Sequence, residues 1–107
     1  MTPEQLTARK KRLTSAARCF IVGDKGIALG GRHILSSLRY LGDEWVSEYP
    51  IFEEFSSALP IDLPVGPERL EWNPEKLLAL DPILADLEAK YRSRLMKESF
   101  RIIQNLR

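Results

Sequence analysis

The stretch Cys19-Phe20-Ile21-Val22-Gly23-Asp24-Lys25-Gly26-Ile27-Ala28-Leu29-Gly30-Gly31 decides the fold. Taken alone, Val-Gly-Asp-Lys-Gly-Ile resembles a tight turn between two short strands. The flanking residues argue otherwise. Leu6, Leu13, Phe20, Ile27, Ile34 and Leu41 recur every seven residues straight through it. Beside them run Ala16, Cys19, Gly23, Gly26, Gly30, His33 and Ser37, at alternating steps of three and four. That is a large apolar stripe next to a small-residue stripe on a helical surface. A strand pair has no reason to keep such a register. Each glycine costs roughly 1 kcal/mol against alanine inside a helix, so a bend is expected near residues 23–26. Whether residues 3–41 form one bent helix or two is left open by the pattern. So is whether the small stripe packs against this chain or a second copy.

Outward from this stretch, helix signals continue. Thr2-Pro3 is a cap followed by a proline in the first helical position. Gly42 is placed to close the helix that ends at Leu41. Asp43 is expected to cap a short helix holding Trp45, Val46 and Tyr49, and Pro50 to start another turn through Phe52 and Phe55. Ser56–Pro67 contains three prolines and Gly66, and reads as an extended loop. Asn73-Pro74 caps and opens a helix, and Asp81-Pro82 restarts or kinks it. Leu84, Leu87, Tyr91, Leu95, Ile102 and Leu106 mark the apolar face of a long final helix. The expected fold is an all-α single-domain bundle over residues 1–107. It has four or five helices and a Pro/Gly-rich loop near residues 56–68.

The 107 residues carry a formal charge of +1 that conceals a sorted distribution. Residues 1–41 hold eight Lys/Arg and two Asp/Glu. Residues 42–89 hold two Lys/Arg and twelve Asp/Glu. Residues 90–107 hold six Lys/Arg and one Asp/Glu. Such a layout either steers partners or pairs up inside the fold. Cys19 is the only cysteine, which favours a reducing compartment. The first residues hold no apolar signal core, and no apolar run approaches the ~18–20 residues of a membrane span. A cytoplasmic protein with no membrane association is expected.

Catalytic and cofactor patterns are weak. Cys19 and His33 lie fourteen residues apart, about 21 Å along a straight helix, too far to act together. One His and one Cys exclude the usual zinc patterns. Glu48, Glu53 and Glu54 are better read as a solvated acidic edge than as a cation site. Gly-Asp-Lys-Gly and Gly-Gly-Arg fit neither the P-loop nor the dinucleotide spacing. The chain is therefore expected to be non-catalytic and to need no metal or cofactor.

Two surfaces remain as binding candidates. The segment 43–62 combines Trp45, Tyr49 and Phe52 with Glu44, Glu48, Glu53, Glu54 and Asp62. Aromatic anchors ringed by charge suit a basic protein partner. In concrete form this is an immunity or antitoxin protein covering the cationic cleft of a bacterial toxin. The plainer expectation for this segment is that the aromatics fill the core and the acids face water. The second candidate is Arg9-Lys10-Lys11-Arg12 with the C-terminal cations, as a nucleic-acid surface. No aromatic residue interleaves with that run. A third possibility is a small-ligand protein or enzyme around Arg32 and His33, which requires a pocket beside Gly26–Gly30.

Three stretches look familiar together. They are Ala17-Arg18 leading to Gly23-x-x-Gly26-x-x-x-Gly30-x-Arg32, then Ser36-Ser37-Leu38-Arg39, then Leu63-Pro64-x-Gly66-x-x-Arg69-x-x-Trp72-x-x-Glu75. This pattern resembles a family of small bacterial helical proteins known only as a domain of unknown function. The resemblance covers roughly residues 17–80 and departs in Pro50–Leu59. It implies a helical fold, a bacterial cytosolic origin and a shared structural job for Arg32, Arg39, Arg69 and Trp72. Physically, Arg69 suits fixing the Pro/Gly loop around Gly66, and Arg39 is a candidate to pair with Asp62.

Overall fold

The first helix, α1 (Pro3–Val22), starts with a reciprocal cap. The Gln5 N–H donates to Thr2 Oγ1 at 3.1 Å, and the Thr2 N–H donates to Gln5 Oε1 at 3.0 Å. It stops at Gly23, whose φ of 76° is left-handed. There the Asp24 N–H donates to the Cys19 carbonyl and the Gly23 N–H to the Phe20 carbonyl, both at 3.1 Å. This double bond satisfies carbonyls that the helix end leaves open. Gly26 has a φ of 78° and begins α2 (Ile27–Leu41). The stretch that opened the question is therefore a helical hairpin turn. Residues 3–41 form two helices, and no strand occurs among residues 1–59 and 72–106, which are those the computed structural model describes.

The two helices run antiparallel. Phe20 meets Gly30 near the turn, and Arg9 Nη1 donates to the Tyr40 carbonyl at 2.7 Å near the open end. A Cβ at Gly30 would lie 2.9 Å from Phe20 Cδ2, and one at Gly31 3.3 Å from Phe55 ring carbons. The small stripe thus has a same-chain purpose at Gly30, which admits α1, and the neighbouring Gly31 admits a later helix. Gly30→Ala gains roughly 1 kcal/mol of helix propensity but forces a buried ring to move, at about 1–3 kcal/mol. The expected net effect is a loss of stability, measured by urea titration. A gain would mean that Phe20 is free to swing.

Gly42 (φ 125°) ends α2, as expected, and starts α3 (Asp43–Glu48). Asp43 is not the cap. It occupies the first helical turn, where its charge suits the helix N-terminus. Pro50 opens α4 (Pro50–Ala58), so Ser56, Ser57 and Ala58, expected in the loop, are helical. The apolar spacing of Ile51, Phe52 and Phe55 carries the helix that far because all three are buried. The rest of the expected loop lies outside the described residues, apart from Leu59. The last helix, α5 (Pro74–Asn105), is capped by Asn73 Oδ1 accepting from the Glu75 N–H at 2.9 Å. It continues through Pro82, which is exposed, and so neither stops nor restarts there. Its 32 residues span about 48 Å, matching the longest dimension of the molecule, 48 Å.

One apolar cluster joins all five helices. Leu13, Ile34, Leu38, Phe52, Leu95 and Ile102 are each fully buried within it. All six residues of the seven-residue stripe contribute, including the half-buried Leu6 and Ile27. Phe55 stacks against Tyr91 with ring centroids 5.3 Å apart, tying α4 to α5. Two serines are buried in this interior and both are satisfied: Ser99 Oγ donates to the Leu95 carbonyl at 2.8 Å, and Ser37 Oγ to the His33 carbonyl at 3.0 Å. No described helix is long and apolar enough to cross a membrane.

Candidate functional site

Two of the aromatic residues expected on the acidic surface, Tyr49 and Phe52, are not on it. Tyr49 is 2% exposed and Phe52 0% exposed. Both belong to the core, because the hairpin and α5 need large apolar groups to fill the space between them. The Tyr49 hydroxyl accepts from Asn105 Nδ2 at 3.0 Å, so even its polar tip points inward to α5. Trp45 is half-buried, with Lys10 Nζ 5.7 Å from its ring centroid. Glu48 pairs with Arg101, which also donates to the Glu48 carbonyl at 3.1 Å and to Glu98 Oε2 at 2.8 Å. Glu54 lies 3.6 Å from Arg94. Of the acids named, Glu44 and Glu53 stay exposed without an ion pair among the described residues, and Asp62 lies outside them.

Among the described residues, the acidic middle is therefore partly neutralised by α5 and not by α1. Among the described residues, none of Arg9, Lys10, Lys11, Arg12 or Lys25 is paired with a carboxylate. What packs on the α1 run is aromatic. Arg9 and Arg12 each place a guanidinium over the Tyr40 ring, 5.8 and 5.6 Å from its centroid. The aromatic residues missing from the linear run are supplied in space by α2 and α3.

Between α1 and α2 lies an open groove of about 680 Å³. It includes Gly30 and His33 of the small-ligand possibility, but neither Arg32 nor Gly26 lines it. Its floor is small: Ala16, Cys19 and Gly30. Lys11, Arg12, Lys25 and His33 line it, together with the Ser15 and Ser36 hydroxyls and the exposed Tyr40. No carboxylate lines it among the described residues. Cys19 and His33, far apart on a straight helix, come to the same groove because the chain reverses at Gly23–Gly26. Lys11 also borders two further depressions along α1, one reaching Pro3 and Glu4 and the other reaching Thr14 and Arg18. Lys25 stands at the far end, next to a depression that Asp81 and Glu88 of α5 share.

Lys25 Nζ donates to His33 Nδ1 at 2.9 Å. Desolvation, then the charges of Lys25 and Arg32, lower the His33 pKa from its ordinary value. At neutral pH the imidazole is thus uncharged and accepts from the ammonium. A group shifted in this direction stabilises the fold above its ordinary pKa, and that contribution is lost as the pH falls through the folded value. A bound anion opposes each of these positive charges and so favours protonated His33.

Arg32 and Arg39 are exposed on α2, and Trp72 is half-buried just before α5. Gly66 and Arg69 lie outside the described residues. No group of three or more His, Cys, Asp or Glu among the described residues is placed to hold a metal ion. No family model, curated protein or solved structure matches the chain. The sequence does not single out Tyr40, Ser15 or Ser36, which line the groove. The next step of the three–four pattern after Ser37 falls on Tyr40, and that was the available signal.

Proposed function

We propose that this protein is a non-catalytic nucleic-acid-binding module. Its phosphate-contacting surface is the basic face of the α1–α2 hairpin. The observation that carries this is the uncompensated charge of the groove. Lys11, Arg12 and Lys25 converge on a space with no carboxylate in its described lining, while Arg94 and Arg101 hold the acidic segment to α5. A cationic surface that no described carboxylate neutralises attracts polyanions and releases their counterions on binding. The hydroxyls of Ser15 and Ser36 add neutral donors of the kind that contact phosphate and sugar.

Binding to a toxin-like basic protein remains the second reading. It keeps Glu44 and Glu53 as exposed acids, but it loses Tyr49 and Phe52 as anchors. Charge reversal of Glu53 with Glu54 is expected to leave nucleic-acid affinity unchanged or slightly raised, and loss of a protein partner in that variant would favour this second reading.

The deciding experiment is fluorescence anisotropy of a labelled oligonucleotide across a salt series. Affinity is expected to fall steeply with salt. The combined Lys11→Ala, Arg12→Ala and Lys25→Ala variant is expected to lose roughly 2–3 units of the log–log slope, about one per cation. Lys76→Ala, on α5 and outside the groove lining, is the charge control and is expected to leave binding intact. No binding at low salt sinks the nucleic-acid reading.

A further inference from the structure

We infer that the nucleic acid bound is single-stranded, with one base seated in the α1–α2 groove on the face of Tyr40. This rests on the nucleic-acid reading above and names its ligand more closely. Three features of the groove point the same way.

The first is shape. Duplex backbones are convex and keep their bases stacked inside, so a duplex can place phosphates on a basic helix but no base in a cleft beside it. The groove is concave, and its volume of about 680 Å³ falls within the range of small-molecule sites. Its lining is small at Ala16 and Cys19, which leaves room for a flat ring. The second feature is Tyr40. Its side chain is at the groove wall and 56% exposed, although it is large and apolar-bodied. Arg9 and Arg12 hold the ring from the α1 side. Aromatic rings with flanking cations are the stacking platforms of single-strand binders. The third is the arrangement of polar groups. Lys11, Arg12 and Lys25 suit phosphates on either side of the seated nucleotide. Ser15, Ser36 and His33 offer hydrogen-bonding groups that accept any base edge, which predicts weak sequence preference.

Binding of a thymidine homopolymer is compared with binding of a hairpin duplex of equal charge at one salt concentration. The single strand is expected to bind roughly tenfold or more tightly, and Tyr40→Ala is expected to remove about that factor. Tyr40→Phe keeps the ring and is expected to bind as the parent does. Tyr40→Ala is expected to leave the helical circular dichroism spectrum unchanged and to weaken duplex binding far less than single-strand binding. Equal or tighter duplex binding with a normal salt slope overturns the single-strand inference and leaves the nucleic-acid reading standing. Single-strand binding that is indifferent to Tyr40→Ala overturns the seated base. Absence of binding to both probes overturns both.

Discussion

Phe55→Ala is expected to cost about 3–5 kcal/mol, the range for deleting a buried phenylalanine. Phe55 is 1% exposed, and two separate helices close on it. Its ring approaches the Gly31 backbone of α2 so closely that a Cβ there would sit 3.3 Å away. Its other contact is Tyr91 of α5, with the rings tilted by 58°. An alanine leaves a cavity between α2 and α5 that neither rigid helix can collapse to fill. Against a usual total stability of about 5–15 kcal/mol, such a loss lowers the melting temperature by more than about 10 °C. Glu53→Ala, two residues away and exposed, is expected to stay within about 0.5 kcal/mol of the parent. Guanidinium unfolding of both variants decides whether the aromatic residues of α4 hold the core. Two near-neutral variants would return Phe55 to the surface and reopen α4 as an interface.

The same contrast explains how far the sequence could be read. The seven-residue stripe identified core positions on both α1 and α2, although the chain reverses between Phe20 and Ile27. The turn takes four residues, so a period of seven passes across it undisturbed. Periodicity therefore reported helix and burial correctly, yet it could not distinguish one bent helix from two. The glycines carried that information: positive φ at Gly23 and Gly26 marks the turn, while Gly30 and Gly31 mark close helix contacts. Composition alone does not separate these two roles. Trp45, Tyr49 and Phe52 were harder still. Aromatic residues beside acids fit an interface and a core equally well until the packing partner is known. For Tyr49 that partner is Asn105, 56 residues away. The basic groove was illegible for a similar reason. Lys11, Lys25, His33 and Tyr40 are spread over residues 11–40, and only the hairpin brings them together.

Reversing the groove's charge, with Lys11→Glu, Arg12→Glu and Lys25→Glu combined, is expected to weaken oligonucleotide binding by at least about a hundredfold at low salt. Each lost charge-assisted contact to phosphate is worth about 1.5 kcal/mol or more, and each new carboxylate adds repulsion. The fold is expected to survive. Lys11, Arg12 and Lys25 are exposed, Arg12 lies over the Tyr40 ring, and none of the three neutralises a carboxylate among the described residues. An internal reporter separates lost binding from lost structure. Lys25 is one cause of the lowered His33 pKa, so a glutamate in its place is expected to move that pKa upward, read by the histidine ring protons in an NMR pH titration. In the parent, polyanion binding moves the same resonance in the same direction, and by linkage the affinity rises as the pH falls through the His33 range. A reversed groove that still binds tightly places the nucleic-acid surface elsewhere, with the exposed Arg92 and Lys97 of α5 as the next cations to test. A variant whose histidine shifts upward while its binding disappears assigns the lost affinity to the charge of the groove itself.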